Sequence, residues 1–179
     1  MRRHVELGEE ILARQPGISE VSRRVAAEHH ERFDGSGYPR GLKGEEISLF
    51  GQMASIVDVY DAITSDRIYH KGMTPTDALR KVFEWSKFHF RQELVHNFIH
   101  CVGIYPAGTL VRLESGVLAV VLEQSDTSTL APRGKTLFDT KSKRPIPPCT
   151  LDLAAAGEKI VDSASPEEWG LDPARYLVN

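Results

Sequence analysis

The sequence predicts a mainly α-helical bundle followed by a small antiparallel β-rich extension. Over roughly the first 100 residues, apolar side chains recur at the three- and four-residue steps of amphipathic helices. After Gly103 the residues become β-branched and apolar on both sides of a Glu114-Ser115-Gly116 turn, as in a hairpin. We therefore expect two parts, a helical domain over residues 1–103 and a β-rich extension with a tail over residues 104–179.

The helices are placed by their apolar periodicity and by residues that start or stop helices. Ser19 and Thr74 are predicted N-caps, because a hydroxyl there can accept a hydrogen bond from the first turn. A glycine-rich stretch at 32–46 favours a loop. The predicted helices cover residues 5–14, 20–30, 47–64, 75–85 and 91–102.

The extension is predicted to form a small sheet. Residues 109–122 indicate a hairpin, 135–138 a third strand, and 145–148 a last strand that closes the sheet. The remainder, with Trp169 and Tyr176, is expected to pack back as a tail.

Composition and charge exclude several classes of protein. Hydrophobic residues make up 41% and charged residues 26%, as in ordinary globular chains. A formal net charge of −3 gives no general attraction to nucleic acid or to an anionic membrane. The two cysteines form no recognised metal or redox spacing, and no run is apolar enough to span a membrane. We expect a cytoplasmic location, with no nucleic acid and no membrane as partners.

One group of polar residues predicts chemistry. His29-His30-Glu31 precedes a glycine-rich loop with Tyr38, and Asp58 and Asp61 lie one turn apart on the next helix. Imidazole and carboxylate ligands together are typical of sites for iron, manganese and related ions. Asp61 could orient a metal-binding side chain without contacting the metal itself.

A purely structural reading stays open for each of these residues. A histidine at the end of a helix also interacts favourably with the helix dipole, and the loop could be only a connection. The aspartates are harder to explain in this way, because unpaired carboxylates among apolar residues are unfavourable.

The chain resembles the HD-GYP domains, a subgroup of the HD phosphohydrolases that cleave cyclic di-GMP. The resemblance covers residues 1–103 and rests on His29-His30-Glu31, on the pattern from Asp34 to Gly44, and on Asp58 to Arg67. It implies an HD-type helical bundle. It also implies that residues after 103 match a C-terminal extension found in proteobacterial members.

The resemblance assigns roles to individual residues. It implies divalent ions, most often iron or manganese, in a di- or trinuclear site of the complete domain. Arg67 also has the planar fork that binds a phosphate bidentately. His70 stands where the family often has Arg or Lys, so phosphate affinity is expected to be weaker or pH-dependent. The implied metal ligands are His4, His29, His30 and Asp58, and the implied substrate contacts are Tyr38, Arg67 and His70. The second-shell role of Asp61 rests on its helix position alone.

The family's His-Asp motif and the lysine after it lie upstream of the stretch that matches His4. They do not occur in the 179 residues. No complete catalytic set is therefore expected here, and we expect hydrolysis of cyclic di-GMP to pGpG or GMP by this chain alone to be impaired.

An alternative function is a signalling module that binds a GGDEF-type partner through the Gly-Tyr-Pro loop. We also expect either a dimer or association with a missing N-terminal segment, because apolar surface would otherwise be exposed. His89, between two phenylalanines, is expected at the edge of the core.

Overall fold

The structure is a computed structural model that describes residues 3–66, 72–125 and 128–177. The chain divides into two compact units. The helical unit comprises residues 1–73 and 78–98, and the sheet unit comprises residues 74–77 and 99–179. No helix of the described ranges is long and apolar enough to cross a bilayer.

Five α-helices precede the strands along the described chain. In the helical unit, α2 packs against both α1 and α3. Buried apolar side chains, among them Val5, Ile56 and Val82, form the interior of this unit. The helices are α1 (Arg3–Ala13), α2 (Glu20–Glu28), α3 (Leu49–Thr64), α4 (Pro75–Trp85) and α5 (Gln92–Val102), with a short 3-10 helix at Gly44–Glu46.

The helix ends follow the predicted capping chemistry. The Ser19 hydroxyl accepts a hydrogen bond from the Ser22 N–H at 3.1 Å, and the Thr74 hydroxyl accepts one from the Asp77 N–H at 3.2 Å. Both predicted N-caps are confirmed. The third helix begins two residues later than predicted, since Ser48 serves as its N-cap and Ile47 is buried ahead of it.

The sheet unit contains five antiparallel strands in the order β4-β3-β2-β1-β5. Successive residues along β1 and β2 point to opposite faces, as in any strand. Val111 and Val121 lie on one face. Leu110 and Val120 lie on the other, against Trp169 of the tail. The strands are β1 (Leu110–Leu113), β2 (Val117–Glu123), β3 (Arg133–Asp139), β4 (Arg144–Asp152) and β5 (Ile160–Ser163), followed by α6 (Pro166–Trp169) and a 3-10 helix at Pro173–Tyr176.

The predicted order, helices followed by a small antiparallel sheet, is confirmed. The description as mainly α holds only in part, because the strands and their connections occupy most of the chain after Gly103. The fifth strand was not predicted. Its four residues are too few to show an alternating pattern, and pairing with β1 places them in the sheet.

Candidate functional site

Three histidines from two helices meet in the helical unit. His4 lies on α1, and His29 and His30 follow the end of α2. One ring nitrogen from each histidine lies within 4.8 Å of the other two. Sequence patterns alone gave no reason for His4 to approach residues 26 positions away. The packing of α1 on α2 brings them together.

Contacts at Nδ1 indicate which nitrogen carries the proton in His29 and in His30. His29 Nδ1 lies 3.1 Å from the Val25 carbonyl and 3.0 Å from that of Ala26. A carbonyl only accepts, so Nδ1 donates and Nε2 keeps its lone pair. His30 Nδ1 faces the Asp58 carboxylate at 3.3 Å. This contact favours the same tautomer for a neutral His30 ring, whose Nε2 then accepts the hydrogen bond that joins it to His4 Nε2.

The electrostatics of the cluster favour a neutral His30 imidazole. Partial burial lowers the pKa of His30, the neighbouring His29 and His4 lower it further, and Asp58 opposes them. An imidazole must be neutral to ligate a metal. The environment therefore holds His30 in the ligating form near neutral pH.

The donor set fits a divalent metal ion. Each of His29 and His30 binds an oxygen through Nδ1 and presents Nε2, the arrangement that orients metal-bound histidines in proteins. His30 Nε2 and His4 Nε2 are 3.1 Å apart. Two metal–nitrogen bonds of about 2.1 Å at a right angle would span about 3.0 Å. The residues present therefore suit an ion that takes nitrogen ligands.

The two aspartates of α3 differ in position. The half-buried Asp58 contacts His30 Nδ1, on the side of the ring away from Nε2. In this structure it therefore occupies the orienting position that we predicted for Asp61. Asp61 is exposed one turn later. The ligand role of Asp58 and the second-shell role of Asp61 stay predictions.

Glu31 fastens the glycine-rich loop to the end of α2. Its side chain is fully buried, and its two oxygens accept hydrogen bonds from the backbone N–H groups of Arg40 at 2.8 Å and Leu42 at 3.0 Å. The Tyr38 N–H donates to the His30 carbonyl at 3.2 Å. As a result the Tyr38 ring packs 4.7 Å from the His30 ring, centre to centre, so the loop closes over the histidine cluster.

A second buried glutamate holds the start of α3. Glu28 is fully buried and accepts a hydrogen bond from the Ser48 N–H at 2.8 Å and one from Arg24 at 3.1 Å. Burial raises the pKa of Glu28, but the hydrogen bonds from Ser48 and Arg24 outweigh it and leave the pKa below its ordinary value. Sequence reasoning missed Glu28, and it named Glu31 in the motif without giving it a role. Their signal was an acidic side chain at a helix C-terminus, where the dipole disfavours it.

His89 fastens the loop from the opposite side. Its carbonyl accepts a hydrogen bond from the Phe33 N–H at 2.9 Å, and its Nδ1 lies 3.1 Å from an Asp34 carboxylate oxygen. The position at the edge of the core agrees with the sequence, but the contact with Asp34 was not foreseen. The Ser36 hydroxyl and N–H also bind the Asp34 carboxylate.

This arrangement predicts an acid-sensitive loop. The hydrogen bonds from Ser36, and then the contact with His89, hold the pKa of Asp34 below its ordinary value. Ionised Asp34 therefore contributes stability above the unfolded-state pKa, which is about 3.9. That contribution is lost as the pH falls through the lower folded-state pKa.

We expect Asp34→Asn to lower the melting temperature near pH 6, and we expect a smaller difference from the wild type near pH 2, because protonation of Asp34 removes the contribution of its ionised form. Thermal melts across this range measure the difference. Because Asp34 is largely exposed, the effect is expected to be small. An equal difference at both pH values would contradict the role given to its ionisation.

Two predicted substrate contacts, Arg67 and His70, lie outside the described residues. The positions that flank them are held together, since the Gly72 N–H donates to the Asp66 carboxylate at 2.8 Å and the Met73 N–H donates to the Ile63 carbonyl at 2.8 Å. The roles of Arg67 and His70 stay predictions.

A cavity of about 300 Å³ also lies in the helical unit. The histidines are not among its described lining residues, so it is separate from the cluster. Its cations have acidic neighbours, since Arg24 pairs with Glu20 and Glu28. The lining residues are Glu9, Ala13, Glu20, Arg23, Arg24, Ala27 and Arg40.

Comparison with known proteins places this site in a family context. The family model of the HD domain matches residues 1–93. A cyclic di-GMP phosphodiesterase of Pseudomonas aeruginosa is 47% identical over 171 residues, covering 94% of this chain and 41% of that protein. That alignment includes most of both the helical unit and the sheet unit.

Two further relatives match about half of the chain. A 3'3'-cGAMP-specific phosphodiesterase of Vibrio cholerae is 38% identical over 96 residues, covering 53% of this chain and 18% of that protein. A cyclic di-GMP phosphodiesterase of Thermotoga maritima is 37% identical over 100 residues, covering 55% of this chain and 27% of that protein. The chain thus spans less than half the length of each of these three curated relatives.

Proposed function

Given that the chain belongs to the HD domain family, we propose that it forms part of a metal-dependent phosphodiesterase that hydrolyses cyclic di-GMP to pGpG or GMP. The names of its relatives support this activity. Within the family it is of the HD-GYP type, whose motif stands at residues 29–44.

The observation that carries the proposal is the histidine cluster beneath the Tyr38 loop. Three imidazole nitrogens converge within 4.8 Å, and the proton positions on His29 and His30 leave Nε2 free to bind an ion. A divalent ion there would supply Lewis acidity toward a phosphodiester and would lower the pKa of water. We propose iron or manganese, in a two- or three-metal site of the complete domain.

The chain's own residues would bind the metal ion and orient the substrate. His4, His29, His30 and Asp58 are the proposed ligands, and Asp61 is a proposed orienting residue. The half-buried Tyr38, held against His30, would place its hydroxyl near a phosphate. Arg67 and His70 are proposed as further phosphate contacts.

Hydrolysis by these 179 residues alone is expected to be weak. The described donors are three imidazoles and one carboxylate, whereas a multinuclear site needs bridging carboxylates. We propose that residues 1–103 form the C-terminal part of the HD-GYP helical domain and that residues 104–179 form a small β-rich extension with a tail. A role as a binding module for a GGDEF-type partner stays an alternative prediction.

The test is metal binding followed by hydrolysis. The purified chain is loaded anaerobically with iron(II) or manganese(II), and bound metal is measured by elemental analysis after dialysis. It is then incubated with cyclic di-GMP or, separately, with 3'3'-cGAMP, and the products are separated by chromatography. His29→Ala is the site variant. His96→Ala is the matched control, since His96 is an exposed histidine of α5 outside the cluster.

We expect the wild type and His96→Ala to retain metal and His29→Ala to lose most of it. Formation of pGpG or GMP that depends on metal and on His29 would support the phosphodiesterase. Faster cleavage of 3'3'-cGAMP would reassign the substrate. Equal metal content in the three proteins would overturn the proposed metal site.

A further inference from the structure

Arg32 lies at the histidine cluster, between the fastened Glu31 and the loop that carries Tyr38. Its half-buried guanidinium sits 5.3 Å above the centre of the Phe90 ring. A guanidinium held over an aromatic ring by cation–π attraction loses less conformational freedom when it binds an anion than a fully solvated one does. The Arg32 guanidinium is therefore positioned to donate hydrogen bonds to an anion before any ligand binds.

The backbone around Arg32 is held from several directions. The Gly35 N–H donates to the Arg32 carbonyl at 2.8 Å, and the next residue, Phe33, donates its N–H to the His89 carbonyl at 2.9 Å. On the other side, buried Glu31 is bonded to two amides of the loop. The position from which the Arg32 side chain emerges is thus fixed by the same contacts that fix Tyr38.

The charge of Arg32 belongs to the site. Asp58, Asp34 and Tyr38 each interact electrostatically with its guanidinium. Its positive charge also contributes to lowering the pKa of His30. The described ion pairs of these two aspartates are with histidines, since Asp58 pairs with His30 and Asp34 with His89. Arg32 is held near these acids by electrostatic attraction and by its contact with Phe90. Within the part of the chain that the structure describes, no hydrogen bond occupies its planar fork, which could therefore bind a ligand.

We propose that Arg32 is a phosphate-binding residue of the histidine site and holds the non-bridging oxygens of the cyclic dinucleotide's phosphodiester. This inference rests on the proposed function and extends it to a residue between the metal-binding histidines and Tyr38. A phosphodiester brings one negative charge into a site that already contains the Asp58 and Asp34 carboxylates. Beside the proposed metal ion, a fixed guanidinium would further offset that repulsion, and it matches two phosphate oxygens at once.

The experiment measures binding rather than turnover, so it does not depend on a complete catalytic set. The full 179-residue chain, loaded with manganese(II), is titrated with cyclic di-GMP by calorimetry at low and high salt. The variants are Arg32→Lys, which keeps the charge but loses the fork, and Arg32→Met, which keeps the stem and loses the charge. Arg91→Met is the control, because Arg91 forms only surface pairs with Glu45 and Glu93 among its described contacts.

We expect the Kd for cyclic di-GMP to rise by about 10- to 100-fold in Arg32→Met and by a smaller factor in Arg32→Lys, with little change in Arg91→Met. The salt dependence of binding should weaken in Arg32→Met, since one ionic contact is lost. Manganese affinity should stay within about twofold in all variants, because Arg32 is not a ligand; a residue that only supports the fold would change metal affinity and melting temperature instead.

Unchanged dinucleotide affinity in both Arg32 variants would overturn the inference and leave the proposed function intact. If Arg32→Met fails to fold, as judged by circular dichroism, Arg32→Lys decides the question, and wild-type affinity in that variant would overturn the inference. A wild-type chain that binds manganese but no cyclic dinucleotide would overturn both the inference and the proposed substrate.

Discussion

Replacing Gly37 with alanine is expected to lower the free energy of unfolding by about 3 kcal/mol or more. A Cβ at this position would lie 2.3 Å from the Arg32 nitrogen and 2.5 Å from the Glu31 Cα. These are backbone atoms, and Glu31 is anchored by its buried hydrogen bonds, so neither can move away. The loop must instead separate from the end of α2, and Tyr38 would then leave His30.

Gly8 provides the matched control for this prediction. It lies within α1, and a Cβ added there meets nothing within 4 Å. Because glycine is a poor helix former, Gly8→Ala should stabilise the chain by about 0.5 to 1 kcal/mol. Urea unfolding measures both variants, and equal effects of the two alanines would contradict the close approach at Gly37.

Glu31→Gln is expected to destabilise the chain by about 2 to 4 kcal/mol. The buried carboxylate accepts hydrogen bonds from the Arg40 and Leu42 amides through its two oxygens. A glutamine of the same size has one carbonyl oxygen, so it keeps one of these bonds. Its NH₂ group would face the other backbone N–H, which leaves two buried donors opposed.

Amide hydrogen exchange gives the sharper readout of this change. In the wild type the Arg40 and Leu42 amides should be protected, and at least one of them should exchange faster in Glu31→Gln. The control is Glu93→Gln, since Glu93 is 70% exposed in its pair with Arg91; its effect should stay within about 0.5 kcal/mol. Wild-type stability in Glu31→Gln would show that the carboxylate does not hold the loop.

Local features of the fold could be predicted from the sequence. The caps at Ser19 and Thr74 depend on contacts within one helical turn, and the hairpin depends on adjacent strands around a short turn. Because these contacts are local, they can be predicted without knowing how the rest of the chain folds. The fifth strand, with only four residues, was missed because its place depends on pairing with β1, about 50 positions earlier.

The candidate site also has features that could be predicted from the sequence and features that depend on the packing of the helices. Family resemblance, rather than periodicity, supplied His4 as a partner of His29 and His30, and the packing of α1 on α2 brings the three rings together. The spacing of Asp58 and Asp61 showed that they share a helix face, but not which of them meets a histidine. In this structure it is Asp58.

The residue types of the site, the glycine-rich loop beside them and the change from helices to strands follow from the amino-acid sequence alone. Which groups hold that loop in place depends on contacts between segments that are far apart in the chain. Glu28, Glu31 and His89 act through partners 9 to 55 residues away. A carboxylate at a helix end is unfavourable until distant backbone amides surround it, and no local pattern specifies where those amides will lie.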